Sequence, residues 1–308
     1  MKNIAVIGAG NIGRRHLQAL SNLDNNYTLF LVDPSREAID LAIQMYEEVK
    51  TDKSPKLQKL DHIMSLPEKL FTVIIATNSN QRYPVTKVLL KNKIKYIIFE
   101  KVLFQDKDEY KDVEYILRNR QIKSWVNCWR RVVPSYQKLK KKYEYDELTS
   151  FSVNGNNWGI TSNAIHFIDL LNYLTDSTQY QFVNNNINIV KSKRDGYYDF
   201  IGNLEGVYGG KQIPFTFTSY GKDDSISCEI NLKYGKTLIT INDDEEWWIE
   251  NLTGNKSKKV KIHIPLQSDM TQNHINNLAE NGNCKLTPFE ISSNLHLPMI
   301  DYFTKIFK

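Results

Sequence analysis

The sequence predicts an α/β chain in two parts: a doubly wound parallel sheet, then an α+β domain with a large, mainly antiparallel open sheet. Three observations predict it. Continuously apolar, strand-like runs alternate with helical patterns through the first third, as in a parallel sheet covered on both faces. After about residue 145 the pattern changes to period-two alternation broken by glycine turns, which marks half-buried antiparallel strands. The chain has 308 residues, 41% of them hydrophobic, and single cores stop growing near 250–300 residues. The reading gives a first domain over residues 1–127 and a second over 128–308.

In the first domain, residues 4–7, 27–32, 72–76, 96–99 and 123–127 read as strands. Residues 12–20, 35–48, 83–92 and 106–118 read as helices between them, with Asp106 as a cap. In the second, residues 149–153 read as a strand and 163–174 as an apolar helix. Ile230, Leu232 and Tyr234 share one strand face; a turn at Gly235 leads to a strand over 238–241, and Val260, Ile262 and Ile264 repeat the alternation. Gly209-Gly210 is a second hairpin signal. A last helix is predicted over 288–307, with Thr287 as cap, Pro288 at its first position and Glu290 completing a capping box.

Composition excludes several classes. No apolar run approaches the roughly 18–20 residues of a membrane span, and aromatic residues make up 11% of the chain, against disorder. Met1-Lys2-Asn3 runs straight into a strand, so no secretory leader is expected. The net charge of +5 is mild, and the basic run over 138–142 reads as a solvated helix face without a base-reading motif. Cys128, Cys228 and Cys284 are far apart. They form neither a metal spacing nor a disulfide framework, so no metal is expected and a cytoplasmic location fits.

Gly8-Ala9-Gly10-Asn11-Ile12-Gly13 follows one predicted strand and opens one predicted helix. That context marks a dinucleotide-binding loop of the Rossmann type. Gly8 permits the turn, Gly10 lets a pyrophosphate approach, and Gly13 lets the helix pack against the sheet. The backbone of Asn11, Ile12 and Gly13 supplies free N–H groups at the helix start. Asp33 ends the second strand, twenty residues after Gly13. A carboxylate there accepts from the ribose hydroxyls and repels a 2′-phosphate, so NAD is expected over NADP. His16, one turn further, reads as a helix-face residue.

At this point the sequence resembles the Gfo/Idh/MocA oxidoreductases, across nearly its whole length. The resemblance rests on Gly13-Arg14-Arg15-His16, Ala76-Thr77-Asn78, Phe99-Glu100-Lys101, Asn127-Cys128-Trp129-Arg130-Arg131 with Pro134, His166-Phe167-Ile168-Asp169-Leu170-Leu171 and Leu286-Thr287-Pro288-Phe289-Glu290. It implies hydride transfer at a sugar or cyclitol carbinol. It assigns Thr77, Asn78, Glu100 and Lys101 to the cofactor side, with Lys101 and His166 catalytic. Lys101 would orient the reacting hydroxyl and stabilise oxyanion character; His166 suits proton transfer near neutrality. Asp169 either orients His166 or serves packing between domains.

Two positions depart from the family pattern. Ser162 stands where the family carries an aspartate, and Val102 stands where it carries a proline after the lysine. A trans bond is therefore expected at Lys101-Val102. Arg130 and Arg131 either bind an anionic substrate or form interdomain salt bridges. The segment over 154–159, with Trp158, either meets a sugar or is a turn around a buried indole. Ser162, Asn163 and His166 complete the expected substrate set. Trp247 and Trp248 read as sheet or subunit-interface residues, and a homodimer or homotetramer through the second domain is expected. The functions left open are an NAD-dependent sugar dehydrogenase or reductase, plausibly for a nucleotide-activated or acidic sugar of surface polysaccharide; a catalytically silent NAD- or sugar-binding regulator; and an NAD-dependent glycosidase.

Overall fold

Apolar runs flanked by polar turns build a parallel sheet first. The computed structural model describes residues 1–192, 194–221, 228–252 and 257–307. In chain order come β1 (Lys2–Ile7), α1 (Asn11–Leu20), β2 (Tyr27–Val32), α2 (Arg36–Glu47) and β3 (Lys56–Leu60). They are followed by β4 (Lys69–Ile75), α3 (Ser79–Leu89), β5 (Lys93–Phe99), α4 (Lys107–Asn119) and β6 (Lys123–Val126). The six strands are parallel, in the order β3-β2-β1-β4-β5-β6. All of β2 is buried, as are Ile4, Ala5, Val6 and Ile7 of β1, which accounts for their unbroken apolar character. The strand order reverses between β1 and β4, and ligands of such sheets bind outside the carboxyl ends at that point. Asp106 caps α4, and Glu109 completes a capping box.

The next elements are α5 (Pro134–Lys142), β7 (Leu148–Gly155), α6 (Ile160–Thr175), β8 (Tyr180–Lys191), β9 (Tyr198–Tyr208), β10 (Ile213–Ser219), β11 (Glu229–Tyr234), β12 (Thr237–Asn242), β13 (Trp247–Leu252) and β14 (Lys258–Lys261). Their eight strands form one sheet, β14-β13-β12-β11-β7-β10-β9-β8. Every pairing is antiparallel except β7 with β10. Alternate residues Phe151, Val153, Phe215, Phe217, Ile230, Leu232, Ile239 and Ile241 are buried, and α6 packs on β9 and β10. Trp248 is a buried sheet residue.

The chain then adds α7 (Gln267–Asn281), β15 (Thr287–Pro288) and α8 (Phe289–Phe307). Two compact units result: Met1–Asn127 with Pro265–Ser293, and Cys128–Ile264 with Asn294–Lys308. Residues 265–293 were expected with the second part and group instead with the first. The reason is local: α7 packs on α1, and β15 pairs antiparallel with β6. Thr287 and Pro288 thus add a strand to the sheet before α8 begins, where a cap and first helical residue were expected.

Candidate active site

The glycine loop in the first unit is constrained at two of its glycines and open at the third. Gly8 has φ +97, and a Cβ on it would meet backbone atoms of Ala76 and Thr77 at 3.0 Å. A Cβ on Gly13 would lie 1.8 Å from the Gly8 carbonyl oxygen. Both glycines are therefore required for the loop to close against β4. Around Gly10 nothing lies within 4 Å of the Cβ position. Gly10 precedes α1, whose first turn, Asn11, Ile12 and Gly13, receives no side-chain cap. Its N–H groups and the positive helix end face that open space.

Asp33 closes the cradle. Its Oδ2 accepts the Ala9 N–H at 2.7 Å and its Oδ1 accepts the Ser35 N–H at 2.8 Å. The carboxylate is half-buried, and each oxygen keeps acceptor capacity for a hydroxyl. Beyond β4, the Thr77 hydroxyl is buried without a hydrogen-bond partner, and Asn78 precedes α3 without capping it. The open space at Gly10, the uncapped helix start and the orphaned Thr77 hydroxyl fit a dinucleotide: N–H donors for phosphates and Asp33 for a ribose.

Lys101 follows Glu100 at the carboxyl end of β5. The Lys101-Val102 peptide is cis, which corrects the trans expectation. This turn lies beside the buried Arg82 guanidinium, which donates to the carbonyls of Thr77, Val102 and Leu103. Glu100 is buried and accepts from Asn127 at 2.6 Å, and its carboxylate lies 3.0 Å from His16 Nε2. Burial alone would raise its carboxyl. The His16 hydrogen bond and charge, with Asn127 and Lys101, outweigh burial and hold it below the usual carboxylate range. His16 is 1% exposed; the reading of it as a helix-face residue missed this pairing.

In the second unit, α6 carries His166, Ser162 and Asn163. Its start is fixed by Asp199, which accepts from the Thr161 N–H at 2.9 Å and the Thr161 hydroxyl at 3.2 Å. Asn163 donates to the Trp158 carbonyl at 2.6 Å, and the Ser162 hydroxyl to that of Gly159 at 3.2 Å. The Trp158 indole donates to Thr218 O at 2.7 Å and meets Phe167 edge-on. His166 is buried, its ring 6.3 Å from that of Trp129.

Arg130 and Arg131 each form an ion pair. Arg130 is buried against Asp243 at 2.9 Å, and Tyr136 donates to the same carboxylate at 2.7 Å. Burial and the Asp243 charge raise the Tyr136 phenol well above its ordinary range. Arg131 grips Asp169 with two bonds of 3.0 and 2.9 Å and also donates to Asn172. These are ion pairs inside one unit, where salt bridges between the two domains were one of the two expectations. Sequence reasoning missed Asp199 and Asp243, since isolated carboxylates in a β-rich segment carry no spacing signal. Among the described residues no group of three or more His, Cys, Asp or Glu could hold a metal ion, and no helix is long and apolar enough to cross a membrane.

Residues 2–128 match the family profile described as the GFO_IDH_MocA oxidoreductase family, NAD-binding Rossmann fold. No curated protein sequence matches. Solved structures share the fold over almost the whole chain. UDP-N-acetylglucosamine 3-dehydrogenase GnnA from Acidithiobacillus ferrooxidans is 12% identical with a TM-score of 0.75, covering 97% of this chain and 96% of that one. An oxidoreductase from Agrobacterium radiobacter, solved with NAD+, L-tartaric acid and magnesium, is 12% identical with a TM-score of 0.74 over 97% and 94%. The super-repressor mutant of Gal80p from Saccharomyces cerevisiae is 14% identical with a TM-score of 0.72 over 99% and 96%. By this profile, with the glycine loop at its start, residues 2–128 are similar to the NAD-binding Rossmann domain of the Gfo/Idh/MocA oxidoreductases.

Proposed function

We propose that the protein is an NAD-dependent dehydrogenase or reductase acting on a sugar hydroxyl or ketone, with a nucleotide-activated or acidic sugar as its substrate class. The observation that carries this reading is the open space at Gly10 before an uncapped α1, with Asp33 beside it. Gly8, Gly10, Asn11, Ile12, Gly13, Asp33, Thr77 and Asn78 would hold NAD, and the bound nicotinamide would supply the hydride chemistry. Asp33 favours NAD over NADP by repelling a 2′-phosphate. Lys101 would hold the reacting hydroxyl and stabilise negative charge on its oxygen. His166 would take or return the hydroxyl proton. Ser162 and Asn163, at the start of the same helix, would contact the substrate through a hydroxyl and an amide. We also propose self-association through the second sheet, whose half-exposed positions Ser150, Ser152, Asn154, Thr216 and Thr218 are small and uncharged. Light scattering tests that.

The enzyme reading is tested with purified protein, NAD and a panel of sugars, acidic sugars and nucleotide sugars, following NADH absorbance. Stoichiometric NADH formation that Lys101→Ala and His166→Ala abolish supports it. A second reading is a catalytically silent NAD- or sugar-binding regulator. Ser162 at the family's aspartate position favours it, and a repressor mutant shares the fold. Ligand binding without turnover, unaltered by either substitution, would sink the enzyme reading and leave this one.

A further inference from the structure

Among the described residues the two sheets have four edge strands: β15 and β3 in the first, β14 and β8 in the second. An edge presents unpaired N–H and C=O groups to any strand that approaches, and proteins blunt it with short length, lysine or proline. Three of these edges carry such devices. β15 is two residues long and contains Pro288. β3 is five residues long, with Lys56 and Lys59. β14 is Lys258-Lys259-Val260-Lys261. β8 differs: it runs for 12 residues with no proline and no charge before Lys191. Most of it is exposed, including Val183 at 55% and Ile189 at 46%. Its register with β9 shifts between Phe182 and Asn184, so residues 184–191 form the regular part.

The pairing with β9 fixes which backbone groups are free. Just past β8, the Ser192 N–H donates to Tyr197 O at 2.9 Å, and the Asn186 carbonyl points at Gly202 across the pair. Backbone groups alternate along an antiparallel strand. Asn184, Asn186, Asn188 and Val190 therefore turn theirs toward β9, and Asn185, Ile187, Ile189 and Lys191 turn theirs outward. The Asn184 side chain takes the Asn185 N–H at 2.9 Å. Ile187, Ile189 and Lys191 face no strand of this chain among the described residues. We propose that a second copy of the chain pairs with this edge, β8 antiparallel to β8 about a two-fold at Ile189. That axis sets the Ile189 residues of the two copies face to face and Ile187 opposite Lys191. Each remaining outward N–H and C=O then finds a partner, and the two lysines stay apart. An antiparallel edge is self-complementary under a two-fold, and the neutral amides of Asn184, Asn185, Asn186 and Asn188 offer no like charge to repel the second copy. Tyr198, paired with Lys191, and Phe307 are half-exposed rings 6.1 Å apart that extend the contact at this end. The contact is separate from the sheet-face association proposed above and independent of the enzyme reading.

Sedimentation velocity and hydrogen exchange on the full-length protein test this. At micromolar concentration the protein should sediment as two chains, or as four where the sheet faces associate as well. Ile189→Lys sets two ammonium groups across the two-fold, and Ile187→Pro removes a donor that no strand of the chain uses. Each should weaken the edge contact at least about tenfold with an unchanged far-ultraviolet circular dichroism spectrum. If Ile187→Pro does not fold, Ile189→Lys decides. Thr216→Arg, on the open sheet face, should leave the edge contact in place. In exchange read by mass spectrometry, the peptide over residues 184–191 should protect the Ile187, Ile189 and Lys191 amides in the wild type and release them in Ile189→Lys. A monomeric wild type, or those three amides exchanging freely in the associated protein, overturns the inference. So does association that Thr216→Arg abolishes and Ile189→Lys leaves untouched, an outcome that would keep the sheet-face association alone.

Discussion

The Ala9 amide donates to the Asp33 carboxylate at 2.7 Å, so the residue at the end of β2 also ties down the glycine loop. Replacing Asp33 with serine removes a charge-assisted bond and the repulsion of a 2′-phosphate together. NAD affinity should fall about tenfold, equivalent to 1.4 kcal/mol, while NADP affinity falls less. Fluorescence titration of both cofactors checks this. Tighter binding of NADP than NAD by the unmodified protein would show that Asp33 does not select the cofactor.

Gly10 and Gly13 separate binding from folding. A methyl at Gly10 meets nothing within 4 Å, and its φ of −66 suits any residue. Gly10→Ala should therefore melt within about 2 °C of the wild type and yet bind NAD at least about tenfold more weakly, because the methyl fills the phosphate space. Gly13→Ala places its methyl 1.8 Å from the Gly8 carbonyl oxygen. It should cost about 1–3 kcal/mol or more of stability in urea unfolding. Equal NAD affinity in Gly10→Ala and wild type would remove the cradle from this loop.

How far these elements can be read from sequence depends on how each is buried. β1, β2 and β4 run through the interior, so an apolar run followed by a glycine loop or an Asp marks both strand and ligand end. β3 was missed because it is an outer strand, Lys-Leu-Gln-Lys-Leu, with no buried residue. The helix α7 was missed for a different reason. Its buried face mixes Met270, Ile275 and Leu278 with the polar Thr271 and His274, and Gln267 is bonded to Thr271, so the polar members break the apolar stripe. His16 has the same character, and only its partners on β5 and α7 distinguish it from a surface histidine. The arginine pair shows the opposite limit. The sequence supplied two cations near a strand end, and their carboxylates lay 38 and 113 residues away.

The Arg131–Asp169 pair should behave as a structural ion pair. Asp169 is 1% exposed and Arg131 11%. Asp169→Ala strands a buried guanidinium and should cost about 3–5 kcal/mol, whereas replacing both with apolar residues should recover most of the loss. Urea unfolding of the two single variants and the double variant measures the coupling. Near-additive losses with no recovery would argue that the guanidinium has a second role.

The histidine on α7 gives the protein a predictable acid limb. His274 is held neutral in the folded state, with its folded value pushed down to about 4 from 6.5 by burial and the His16 charge. Between those values the unfolded chain binds the proton and the folded chain does not, so stability is complete above pH 6.5 and falls as pH drops toward 4. The shift corresponds to something on the order of 3 kcal/mol. Glu100, held below the usual carboxylate range, adds its loss only at more acid pH. Urea midpoints at intervals from pH 7.5 to pH 4.5 should therefore decline in the wild type. In His274→Gln the decline over this window should be much shallower, because the glutamine has no proton to gain. An identical slope in the two proteins would place the acid sensitivity in some other group and would leave His274 without the buried, neutral character assigned to it.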